Sequence, residues 1–95
     1  MPTTTGFFQT ESGSKYLQQL CKHFGHKVET SFEAHKGWVA FDMGTAHMTA
    51  NEEGLTVTTT VKDQDAVRVM HDVIDRHLEK FAFREADKKM VWTVD

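Results

Sequence analysis

Cys21, His23 and His26 crowd into one short run, and His77 stands in the second half of the chain. Thiolate and imidazole are the donors that zinc and other transition metals favour. A thiol next to an imidazole is also the minimum for nucleophilic catalysis. The spacing argues against a local metal site. On a helix, residues two apart point about 200° apart. Cys21 therefore belongs with Leu17, Leu20 and Phe24 on an apolar stripe, while His23 faces solvent. His26 lies beyond Gly25 and could only fold back. A buried cysteine with two surface histidines is the expectation, and no metal ligands are assigned.

Cys21 and His77 are weak catalytic candidates. Both fall on the inner stripes of their helices, but no glycine-flanked nucleophile, orienting group or oxyanion site accompanies them. A free cysteine usually packs as a small hydrophobe. His77 is expected to be a partly buried ring bonded to a backbone carbonyl. In Phe83-Arg84-Glu85, a cation beside an exposed aromatic could receive an anionic or planar ligand. An ordinary surface ion pair is the simpler alternative. The candidate ligand-binding residues are thus His23, His26, Phe83, Arg84 and Glu85. No P-loop, dinucleotide fingerprint, HExxH or CxxC pattern is present.

The elements that must position these residues read clearly. A strand over Thr4 to Gln9 precedes a helix over Glu11 to Phe24, with Thr10 or Ser12 as its cap and Gly25 as its stop. Four strands follow. Val28 to Glu33 alternates, His35-Lys36-Gly37 makes a turn, and Trp38 to Asp42 is the next strand. Thr45 to Ala50 comes after Met43-Gly44. The strand from Leu55 to Val61 alternates apolar residues with threonines. Asp63 or Asp65 caps a helix over Gln64 to Phe81, with Ala66, Met70, Ile74, His77 and Leu78 on its inner stripe. A last strand spans Lys89 to Val94, with Met90, Trp92 and Val94 on one face. The order β-α-β-β-β-β-α-β with hairpin links predicts an α+β two-layer sandwich, mainly antiparallel, with two helices on one sheet face. The other face should be polar, carrying Glu29, Thr45, His47, Thr49, Thr56, Thr58 and Thr60.

Ninety-five residues make one domain, 1–95, with one thin core. A net charge of −3 without a basic stripe argues against a nucleic-acid partner. No apolar run reaches the roughly 20 residues of a membrane span, so no membrane partner is expected. A lone cysteine and the absence of a signal segment point to the cytoplasm.

Several segments together resemble one bacterial family. They are Lys15-Tyr16-Leu17, Leu20-Cys21-Lys22-His23, His26-Lys27, Phe41-Asp42-Met43-Gly44, Gly54-Leu55-Thr56-Val57, the run from His77 to Glu85, and Val91-Trp92. In order and over nearly the whole chain, they are similar to the domain-of-unknown-function family DUF2218. The family has no established activity, so the resemblance transfers no catalytic residues. It implies a bacterial protein whose relatives are sometimes joined to siderophore-interacting, ferric-reductase-type proteins. An iron or siderophore link and a partner of that type follow as expectations. The residues themselves call for no cofactor, and iron, zinc and haem stay as groups to test. The first expectation is a non-catalytic binding or accessory module. The alternatives are a small enzyme using the Cys-His pair and a homo-oligomerisation module.

Overall fold

The computed structural model describes residues 1–94. Its elements are β1 (Thr3–Gln9), α1 (Gly13–Phe24), β2 (Glu29–Phe32), β3 (Lys36–Phe41), β4 (Gly44–Ala50), β5 (Gly54–Val61), α2 (Gln64–Phe81), a 3-10 helix (Phe83–Glu85) and β6 (Val91–Val94). The strands form one sheet in the order β2-β3-β4-β5-β1-β6. Every neighbouring pair is antiparallel. The architecture is the expected α+β two-layer sandwich.

Period-two alternation sorts the sheet residues. Phe8, Val39, Ala46, Met48, Leu55 and Val57 are buried under the helices. Leu17, Leu20, Cys21 and Phe24 of α1 pack onto them with Met70, Ile74 and Leu78 of α2. The opposite face carries a cross-strand row running Trp38, His47, Thr58, Thr5 and Thr93. Neither helix lies on that side.

Local chemistry sets the boundaries. Asp63 accepts from the Ala66 N–H at 2.9 Å and caps α2, a contact worth about 1 kcal/mol. The start of α1 differs from the expected side-chain cap. Thr10 accepts instead from the Ser12 N–H at 3.0 Å, two residues on. The β2–β3 turn also shifts. Lys36 and Gly37 lie in β3, because Gly37 pairs with both Phe32 and Met48. The turn closes earlier, where the Glu33 N–H donates to the Lys36 carbonyl at 2.8 Å. Gly44 has φ +155, and an added Cβ would lie 2.2 Å from the Thr60 carbonyl oxygen, so this turn needs glycine. Trp92 and Val94 share the expected face, paired with Gly6 and Thr4, but Val94 is exposed at the end of the edge strand β6.

A buried polar network joins α2 to the sheet. Thr4 Oγ1 lies 2.6 Å from Thr59 Oγ1 and 2.7 Å from His71 Nε2. The His71 ring stacks on Trp92 at 3.8 Å between centres, 11° from parallel. The Trp92 indole N–H donates to the Asp75 carboxylate at 3.0 and 3.2 Å. Room for the indole comes from Gly6, where an added Cβ would sit 2.8 Å from two ring carbons.

Candidate functional site

The two helices run antiparallel along a seam, and the expected site residues divide between its ends. Cys21 sits at neither. Its side chain is fully buried, and its sulfur lies 3.1 Å from where a Cβ on Gly37 of β3 would stand. Burial pushes its thiol up to about 11, so it is protonated near neutral pH and lacks the thiolate a nucleophile needs.

His77 faces the seam. Its Nδ1–H donates to the Val73 carbonyl at 2.7 Å, the backbone bond expected of it. Its ring centre is 4.8 Å from that of His23 and 4.8 Å from that of Phe24. His23 is exposed but leans over the seam, 6.0 Å from Phe81 between ring centres. Desolvation lowers its pKa, and the neighbouring His77, His26, Lys27 and Lys80 add to the lowering. His26 follows the helix end and is exposed. Among the described residues, no group of three or more His, Cys, Asp or Glu side chains could hold a metal ion.

Phe83, Arg84 and Glu85 lie at the other end of the seam. Phe83 is exposed, and the Arg84 guanidinium carbon is 5.6 Å from its ring centre. Glu85 turns inward. Its carboxylate accepts from Thr10 Oγ1 at 2.9 Å to each oxygen, from the Tyr16 hydroxyl and from Lys88 Nζ at 3.0 Å. The Tyr16 bond is the first cause of its lowered pKa. Burial and the same carboxylate push Tyr16 up to about 12. Glu85 therefore ties the end of α2 to the starts of α1 and of the loop before it. His23 and His26 are not brought together with Phe83, Arg84 and Glu85.

Sequence reasoning missed the pocket beside Glu85. A cavity of about 290 Å³ opens between the C-terminal half of α2, the 3-10 helix and the segment running into β6. Phe8, Leu78, Ala82 and Met90 give it an apolar lining, while Asp75, Glu79, Glu85, Lys88 and Lys89 supply charge. Two of those carboxylates are matched inside the protein. Glu85 holds Lys88 at 3.0 Å, and Lys89 Nζ approaches Glu79 at 3.8 Å. Asp75 instead accepts from the Trp92 indole. Burial raises its pKa, only partly offset by that hydrogen bond. The sequence did carry a signal: an acidic residue directly beside the core stripe, next to Ile74. On the far side of Glu85 lies a broad polar depression of about 1010 Å³, lined by Thr10, Lys15, Glu52, Glu53 and Arg84 among others.

The hydroxyl–imidazole contact between Thr4 and His71 has the geometry of a nucleophile and its base. Thr4 is fully buried, so no substrate can reach it and the contact is architectural.

Comparison with known proteins agrees with this account of the fold. PA4090 from Pseudomonas aeruginosa, solved by NMR, superposes with a TM-score of 0.80 at 28% sequence identity. The alignment covers 98% of this chain and 96% of that one. No curated protein matches the sequence. No helix among the described residues is long and apolar enough to cross a membrane. The profile of a family described as an uncharacterised protein conserved in bacteria matches residues 5–93, and the chain belongs to that family, DUF2218.

Proposed function

We propose that this domain is a non-catalytic binding module and that the cavity of about 290 Å³ holds its ligand. The ligand is a small molecule with an apolar body and one cationic or hydrogen-donating group directed at Asp75. The observation that carries this reading is the setting of Asp75. It is a carboxylate with a raised pKa in a half-apolar pocket, beside two acids already matched by lysines. Such pockets, with few convergent polar groups and one perturbed acid, are where small molecules bind. The buried, protonated Cys21 thiol supports a non-catalytic role.

The iron and siderophore link enters here through the family resemblance. A whole ferric siderophore exceeds this cavity, so an apolar or amine-bearing arm would be the part received. A siderophore-interacting or reductase-type partner would then deliver or collect it. The test is a methyl-resolved NMR titration with phenethylamine, a ferric siderophore and haem, each added alone. Shifts at Leu78, Ala82 and Met90, weakened at least tenfold in affinity by Asp75→Asn, are expected for the amine. If none of the three moves those methyls, the pocket is not the site.

A second reading, self-association through the open sheet face, is favoured by Phe7, which is partly exposed there opposite Val91. It predicts a solution mass of at least twice 10.9 kDa.

A further inference from the structure

The open end of the helix seam has a chemistry distinct from that of the pocket. We propose that His23 and His77 form a two-imidazole site for a borderline divalent transition-metal ion such as zinc, nickel or copper(II), its remaining positions filled by water. Two observations carry it. First, the rings are 4.8 Å apart between centres. A metal–nitrogen bond of about 2.0–2.1 Å places each ring centre roughly 3 Å from the ion. A separation of 4.8 Å then corresponds to a nitrogen–metal–nitrogen angle a little over a right angle. Both tetrahedral and square geometries accept that angle.

Second, His77 is already held as a ligand would be. Its Nδ1–H is committed to the Val73 carbonyl, which fixes the tautomer and leaves the Nε2 lone pair available. Metal-bound histidines show this arrangement, with the second ring nitrogen donating to a carbonyl or carboxylate. Exposure of His23 provides the entry path, and Phe24 and Phe81 supply apolar walls beside the rings. No third His, Cys, Asp or Glu completes a cage among the described residues, so the site is open and the ion exchangeable.

The test uses the intact chain with nickel(II) chloride, then zinc chloride, followed by imidazole-proton NMR and titration calorimetry. Nickel is expected to broaden the His23 and His77 ring protons before those of His35 and His47. His23→Ala, at an exposed position, should weaken zinc at least tenfold with the fold intact, while His35→Ala leaves it unchanged. Binding should fall as pH is lowered, since protons compete for the same nitrogens. Broadening centred on other histidines, or unchanged zinc affinity in His23→Ala, overturns the proposal. Because none of these residues lines the Asp75 pocket, the outcome is independent of the ligand assigned there.

Discussion

Two histidines of α2, His71 and His77, are fixed in opposite ways. His71 is half-buried and tied into the fold. Its Nε2 meets Thr4, its face is covered by Trp92, and the indole passes the connection on to Asp75. His77 spends one nitrogen on its own helix and presents the rest of its ring to a solvent-edge seam. A polar group whose partners are all internal fixes the fold, because losing any one leaves another buried and unsatisfied. A group with a free lone pair at an accessible edge costs little to hold and can take a ligand. Asp75 stands between these cases. Trp92 satisfies one side of it, and the pocket holds the other.

The sharpest way to break the closed side is Gly6→Val. The added carbons would strike the indole and drive Trp92 off both His71 and Asp75. Overpacking of this kind costs about 1–3 kcal/mol, and the lost hydrogen bond should put this variant near the upper end. Chemical denaturation measures it, and the Trp92 indole N–H resonance should move with it. Thr4→Val comes next. It keeps the shape but leaves His71 and Thr59 without their shared hydroxyl, for an expected loss of about 1–2 kcal/mol. The same truncation logic at His77 predicts a smaller loss, since its backbone bond is local to one helix.

Most of the fold was legible because it is written in periodicity. The threonine alternation of β5 and the spaced stripes of both helices each require one buried face. The carbonyl-bound tautomer of His77 was legible too, as the simplest way to seat a half-buried imidazole. The candidate site was harder. His23 to Glu85 looked like one patch, yet the antiparallel seam places His23 beside His77 and Tyr16 beside Glu85. Beyond the acidic Asp75 beside the core stripe, the pocket was not legible, because Phe8 lies near the opposite end of the chain from Asp75, Ala82 and Met90. Their convergence depends on β6 pairing beside β1, a non-local choice that hairpin rules do not dictate.

A smaller effect is the pH dependence that His71 gives to stability. Burial lowers the pKa of His71 below its ordinary 6.5. The folded state then binds fewer protons than the unfolded chain in the window just below 6.5. The contribution of His71 is therefore fully present above that window and is lost as pH falls through it. Denaturation between pH 7.5 and 5 should show this slope, reduced in Thr4→Val if the hydroxyl contact is part of what holds the ring neutral. His23, also lowered but exposed, should contribute less.

The central claim is that the pocket beside Asp75 is built to receive a ligand, while the His71 network behind it is scaffold. Intermolecular NOEs from phenethylamine test this most directly. The account predicts contacts from its ring protons to the methyls of Leu78 and Met90, present in the wild type and absent in Asp75→Asn, with the Trp92 indole N–H still hydrogen-bonded. Contacts confined to the open sheet face, or equal binding by Asp75→Asn, would contradict it.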